Sequence, residues 1–252
     1  MKRFLFLVLI ITSLPIKAQK TIHVFVALCD NANQGIVPVP ESLGNGQDPK
    51  SNLYWGAIYG LKSYFKYKTQ DWILVESPAS EKVEILDRVL FKHRTKELYL
   101  LAEAYDGREI KRCINDFLLA ANGQGQQELI HENKSLHFGG AANLVAYCGH
   151  NGLMEFDLDP SFKPITKDTK EAIILACYSK DYFAKHIKKA QAQPLLWTSH
   201  LMAPEAYTLK AAIDGWLMGE SDEAIAERAA QAYHKYQKCG LRGARGLLKT
   251  GY

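Results

Sequence analysis

Asn143-Leu144-Val145-Ala146-Tyr147-Cys148-Gly149-His150-Asn151-Gly152 is the stretch whose reading decides the fold. A short apolar run bounded by Gly and polar residues is a strand buried on both faces, as parallel sheets covered by helices require. A second run, Ala172-Ile173-Ile174-Leu175-Ala176, has the same character and delivers Cys177. Reactive groups in such sheets collect at the carboxyl ends of the strands. Both runs end there on a residue capable of nucleophilic chemistry, His150 first and Cys177 second. A thiol is a weak nucleophile until an imidazole within hydrogen-bond reach withdraws its proton or stabilises the thiolate. Adjacent parallel strands lie ~5 Å apart, so the two residues face each other across one strand gap if their strands are neighbours.

Working outward, residues 21–28 are expected as a first strand that opens into a long polar loop over 29–51, rich in Asn, Gly, Pro and Gln. Loops of that length are usually functional or mobile. Leu53, Ile58, Leu61 and Phe65 have helical spacing over 52–65, a strand follows over 72–76, and Ser80 with Glu81 opens a helix ending near Phe91. A third strand is expected over 97–104 and a helix over 108–121, with Ile110, Ile114, Phe117 and Leu118 on one side. The Gly/Gln/Asn-rich stretch 122–140 reads as a surface loop with short strands at 129–130 and 136–138. After the Cys177 strand come a sixth strand over 194–199 and closing helices over 204–217 and 221–236, the latter N-capped by Ser221. This alternation predicts an α/β fold: a mainly parallel sheet of about six strands with helices on both faces.

Lys2-Arg3, the apolar stretch 4–16 and Lys17-Ala18-Gln19 read as a signal peptide over 1–19, leaving a single α/β domain over 20–252. No later segment approaches ~20 uninterrupted apolar residues, so no membrane span is expected and the product is expected to be exported, periplasmic or extracellular. Without Lys2, Arg3 and Lys17 the chain has 28 basic against 27 acidic residues, a net charge of +1. That balance gives no electrostatic footprint for nucleic acid. Five cysteines is an odd number for an exported chain and leaves at least one thiol unpaired. Cys177 is expected to be free. Cys29, Cys113, Cys148 and Cys239 either bridge or lie buried as small apolar groups, the second reading being favoured for Cys148.

Gly149-His150-Asn151-Gly152 and Leu175-Ala176-Cys177-Tyr178-Ser179 together resemble the caspase-like (clan CD) cysteine peptidases, the group of caspases, legumains, gingipains and clostripain. The likeness lies in a strand ending in His with Gly beside it, and a later strand ending in Ala-Cys with a small polar residue close behind. It implies a caspase-like fold, a Cys177 nucleophile, His150 as acid/base, and an oxyanion pocket of backbone N–H groups from Asn151, Gly152 and Cys177. Donors aimed at a developing oxyanion are often the largest catalytic contribution, and a Gly in the turn after the His lets the backbone approach substrate. The family usually has Gly directly after the His, whereas here Asn151 precedes Gly152. The interval from 150 to 177 leaves room for a small hairpin around 153–158 and a minimal crossover over 160–170.

The implied activity is that of a cysteine endopeptidase acting on a peptide or protein through a Cys thioester, with no cofactor. Asp30, at the end of the first strand, is implied as a specificity residue favouring Arg or Lys, although an Asp followed by Asn31 also reads as a turn cap. Ser199 and His200, at the end of the next strand after Cys177, are placed to line the same pocket. A non-catalytic member of the same fold, binding a peptide or glycan, is the competing class. Tyr147-Cys148-Gly149 also resembles the nucleophile elbow of glutamine-amidotransferase-like folds, with His186 or His200 as base. That elbow needs a helix immediately after it, and Gly152 and Pro160 follow instead. The Asp30–Gly35 stretch fails as a calcium loop because Ala32 and Gln34 occupy ligand positions. No zinc, phosphate-loop or dinucleotide motif occurs, so no metal is expected.

Overall fold

A computed structural model describes residues 19–164 and 169–252; the export signal expected over 1–19 lies, Gln19 apart, outside them. In chain order the elements are β1 (Lys20–Ala27), α1 (Leu61–Tyr67), β2 (Trp72–Glu76), β3 (Ile85–His93), β4 (Leu98–Tyr105), α2 (Ile110–Ala121), β5 (Gln127–His131), β6 (Lys134–Phe138), β7 (Leu144–Cys148), β8 (Glu171–Leu175), α3 (Ser179–Lys189), β9 (Gln193–Thr198), α4 (Ala206–Met218), α5 (Asp222–Gln237), α6 (Leu241–Leu247) and β10 (Leu248–Lys249). Among the described residues eight strands form one sheet in the order β10-β9-β8-β7-β1-β4-β3-β2, and β5 with β6 makes a separate hairpin. β1 runs parallel to β4 and β7, β7 to β8, and β8 to β9. The pairs β3–β4, β2–β3 and β9–β10 are antiparallel.

The α/β class and mainly parallel core are as expected; the count is eight strands rather than about six, the additional ones being β3 and β10. Residues 85–93 form β3 where a helix from Ser80 was expected. β4 is buried along its whole length and needs a ladder partner on the side away from β1. The run Val89-Leu90-Phe91 suits that pleated surface better than its helical spacing suggests. Over 52–65 only the end is helical, from Leu61. The side chain of Asn52 instead ties this segment to the end of β1, accepting from Cys29 N–H (3.0 Å) and donating to Cys29 C=O (2.8 Å). α6 and β10 are too short to leave a periodic signal.

Alternating side chains of each core strand enter two layers. Ile22, Val24 and Val26 of β1, Leu144, Ala146 and Cys148 of β7, and Ile173 and Leu175 of β8 pack under α1, α4, α5 and α6. Phe25, Ala27, Val145, Tyr147, Ala172 and Ile174 pack under α2 and α3. The chain leaves β1 and β9 toward the first layer and leaves β4 and β8 toward the second. The segment after β7 also follows the second layer, through Phe156, Leu158 and Phe162. A crevice opens at the carboxyl edge of a sheet where successive connections part to opposite faces. Among the described residues that β7-to-β8 segment holds a 3₁₀ turn, Gly152–Met154, in place of the expected hairpin.

Elsewhere in the core, the carboxylate of Glu103, 1% exposed, sits between His23 Nε2 (3.1 Å) and Arg88 Nε (3.0 Å). All five cysteines are free: Cys29, Cys113 and Cys148 are buried and Cys239 is exposed. Among the described residues no helix is long and apolar enough to cross a membrane.

Candidate active site

The register of β7 against β8 pairs Cys148 with Leu175. Two residues further along each chain stand His150 and Cys177. Because side-chain direction alternates along a strand, both continue the parity of Cys148 and Leu175 and turn toward the α4 layer. Both line one cleft of about 380 Å³. Its walls come from the loop after β1 (Gly35, Ile36, Val37, Val39, Leu53 and Tyr54), from Met154, and from residues 201–205 after β9. These are the segments that part to opposite faces of the sheet.

His150 is 5% exposed and held at three points. Its Nε2 pairs with the carboxylate of Glu155, whose Oε1 also accepts the Gly35 N–H at 2.7 Å. An Nε2–H directed at a carboxylate leaves the lone pair on Nδ1, the form in which the ring accepts a proton there. The His150 carbonyl accepts from the buried Tyr147 hydroxyl at 2.6 Å and from the Gly152 N–H at 3.2 Å. Gly149 has φ +154°, and a Cβ there would lie 3.0 Å from the Ala27 carbonyl oxygen. Glycine is therefore needed before the His. Gly152 serves another purpose: a Cβ on it would fall 2.6 Å from the Phe156 ring, so its bareness admits Phe156 rather than substrate.

Cys177 is half-buried. Its Sγ lies 3.4 Å from Met202 N and 3.5 Å from Met202 O, a backbone donor and a backbone acceptor on the same residue. Asn151 fastens the two strand ends together: its Nδ2 donates to Cys177 C=O at 2.6 Å while its Oδ1 accepts from Leu153 N–H at 3.1 Å. Behind the thiol, Tyr178 adopts a left-handed conformation (φ 49°) that turns the chain from β8 into α3. Ser179 is wholly buried; its Oγ donates to Ile174 C=O (2.8 Å) and accepts from Thr198 N–H (2.9 Å), so this small polar residue locks β8 to β9. Of the three expected oxyanion donors, the Gly152 N–H is committed to the His150 carbonyl and Asn151 is fully buried beneath the turn. The Cys177 N–H has no acceptor among the described residues and belongs to a residue that lines the cleft.

The residues expected to set specificity lie elsewhere. Asp30 is 1% exposed and caps its own turn: Ala32 N–H, Asn33 N–H, Asn33 Nδ2 and Gln47 Nε2 all donate to it, at 2.8–3.1 Å. Ser199 Oγ turns away to Gly246 C=O (2.9 Å), and His200 is exposed, its ring 6.0 Å from that of Tyr178. The five residues beyond them line the cleft instead. Glu155, Met202 and Glu205 were not legible as site residues, because their roles depend on where loops from distant strands return. Being next to a strand's carboxyl end was the one available signal for 201–205.

Burial sets the protonation of the surrounding groups. It pushes the Cys29 thiol up to about 11, raises that of Cys148 further, and keeps the Tyr54 phenol protonated. Burial also raises the Glu205 carboxyl above its ordinary value, against the lowering effect of hydrogen bonds from Tyr207 and Gln237. Among the described residues no three His, Cys, Asp or Glu side chains gather as a metal site. Comparison of the chain with protein-family models, with curated proteins and with solved structures finds no match.

Proposed function

We propose that this protein is an exported cysteine endopeptidase of caspase-like architecture, with Cys177 as nucleophile and His150 as acid/base. The observation that carries the reading is the register, which brings the two residues to the carboxyl ends of neighbouring parallel strands, on one face and in one cleft. Glu155 supports it by occupying Nε2 and leaving Nδ1 to take the thiol proton. As proton acceptor, Nδ1 frees the thiolate, which attacks the peptide carbonyl. The oxyanion that forms accepts the Cys177 N–H. His150 then returns its proton to the departing amine, leaving a thioester. Water, deprotonated by His150, attacks that thioester and releases the acid and the thiol. Such hydrogen bonds commonly tighten only when substrate is bound, so the thiol exchanges its Met202 contacts for Nδ1 at that stage. Cys148 is a poor nucleophile here, buried under the sheet and followed by a 3₁₀ turn rather than a helix.

The test is iodoacetamide labelling of Cys239→Ser protein across pH, with and without His150→Ala and Cys177→Ala, followed by cleavage of a peptide library. Cys177 is expected as the labelled site, since Cys29, Cys113 and Cys148 are buried. Loss of His150 is expected to displace the rate–pH profile and to cut cleavage by about 10²–10⁴-fold. Labelling indifferent to His150, with no peptide cleaved, would favour the non-catalytic peptide- or glycan-binding protein.

A further inference from the structure

The carboxylate of Glu205 shares the cleft with His150 and Cys177 and, among the described residues, has no ionic partner. Glu205 stands at the N-cap of α4, where an acidic side chain ordinarily turns back to cap the helix, yet it makes no capping hydrogen bond. Its Oε2 accepts instead from Tyr207 Oη (2.7 Å) and Gln237 Nε2 (3.0 Å), both neutral groups. Oε1 has no hydrogen-bond partner among the described residues. Tyr54 and Tyr233, also within electrostatic reach of it, are phenols that burial keeps protonated. The lining that Glu205 shares is largely apolar, with Ile36, Val39, Leu53, Met202 and Pro204 in the same wall. The other carboxylate near the end of β1, Asp30, is saturated by its own turn and lies outside the cleft.

We infer that Glu205 selects a substrate residue with a long cationic side chain, Lys or Arg, whose carbonyl is the one attacked by Cys177. The inference rests on the peptidase reading. Sγ lies in the wall of the same cleft, so the side chain nearest the attacked carbonyl is the one that enters it. A Lys or Arg stem lies along apolar walls while its charged head seeks a polar partner, and a half-buried carboxylate with an open oxygen gives a charge-assisted hydrogen bond. An acidic side chain meets like charge, and an apolar one leaves the carboxylate unpaired.

The test compares kcat/KM on fluorogenic peptides differing only at that residue: Lys, Arg, norleucine, Asp and Asn. Norleucine keeps the lysine stem and lacks the ammonium, so the Lys-to-norleucine ratio isolates the head group and cancels a general loss of activity. In the unaltered protein the ratio is expected at about 10–100, the worth of a hydrogen bond to a charged group. In Glu205→Gln it is expected to fall toward unity. Cys177-dependent cleavage with no preference for Lys or Arg, or a ratio untouched by Glu205→Gln, overturns the inference and leaves the peptidase reading standing. If no peptide is cleaved and acyloxymethyl ketone probes bearing Lys, norleucine or Asp leave Cys177 unmodified, the peptidase reading falls and the inference with it.

Discussion

Tyr147→Phe removes one oxygen atom from beneath the site and little else. The ring is fully buried between Phe117 and Phe183, with centroids 5.8 and 5.7 Å away, and a phenylalanine ring keeps those contacts. What is lost is the 2.6 Å hydrogen bond to the His150 carbonyl. Leaving a buried acceptor unsatisfied costs about 1–3 kcal/mol, but the Gly152 N–H stays on the same carbonyl at 3.2 Å, which places the expected loss at about 1–2 kcal/mol. For a chain of this size that is about 2–8 °C in Tm. Burial holds the Tyr147 hydroxyl protonated far above its ordinary range, so the loss is expected to be the same in neutral and mildly alkaline buffer. Urea unfolding followed by circular dichroism measures it, and, on the proposed peptidase reading, peptide cleavage by the same variant reports whether the anchored carbonyl matters to His150. A variant as stable as the parent, with unaltered cleavage, would refute the claim that Tyr147 positions the backbone of His150.

Gly149→Ala forces a Cβ to within 3.0 Å of the Ala27 carbonyl oxygen and 3.3 Å of the Tyr147 hydroxyl, at φ +154°. The expected cost is about 1–3 kcal/mol of stability. On the proposed peptidase reading, displacing the neighbouring His150 is expected to slow cleavage by up to about 10²-fold; an alanine variant with parental stability and rate contradicts this. Burial pushes the Glu103 carboxyl up, yet His23 and Arg88 outweigh it and hold the group below its ordinary 4.5. The ionised form therefore stabilises the fold above pH 4.5, and that contribution disappears as pH falls through the depressed folded value. In urea titrations the advantage of the parent over Glu103→Gln is expected to be largest near neutrality and to shrink below pH 4.5. An advantage that grows with acidity would reverse the assignment.

The buried strands and most helices were readable because their signals are local. Six strands of the sheet, including those that deliver His150 and Cys177, announce themselves as apolar runs between polar boundaries. β3 departs from the helix that the pattern predicts because its apolar positions satisfy both periods, and only the need of fully buried β4 for a second ladder partner decides between them. Asp30 illustrates the same limit on the site: its type fits a cation pocket or a turn cap, and the four donors around it settle the matter.

By itself the sequence determined the α/β class and which residues stand at the carboxyl ends of strands, since both follow from side-chain patterning over a few residues. That β7 and β8 are neighbours in a register placing His150 beside Cys177, that Glu155 reaches back to the imidazole, and that Glu205 rather than Asp30 enters the cleft were decided only by tertiary structure. Those facts depend on pairing between segments far apart in the chain, and a hydrophobic pattern marks a strand for burial without naming its partner.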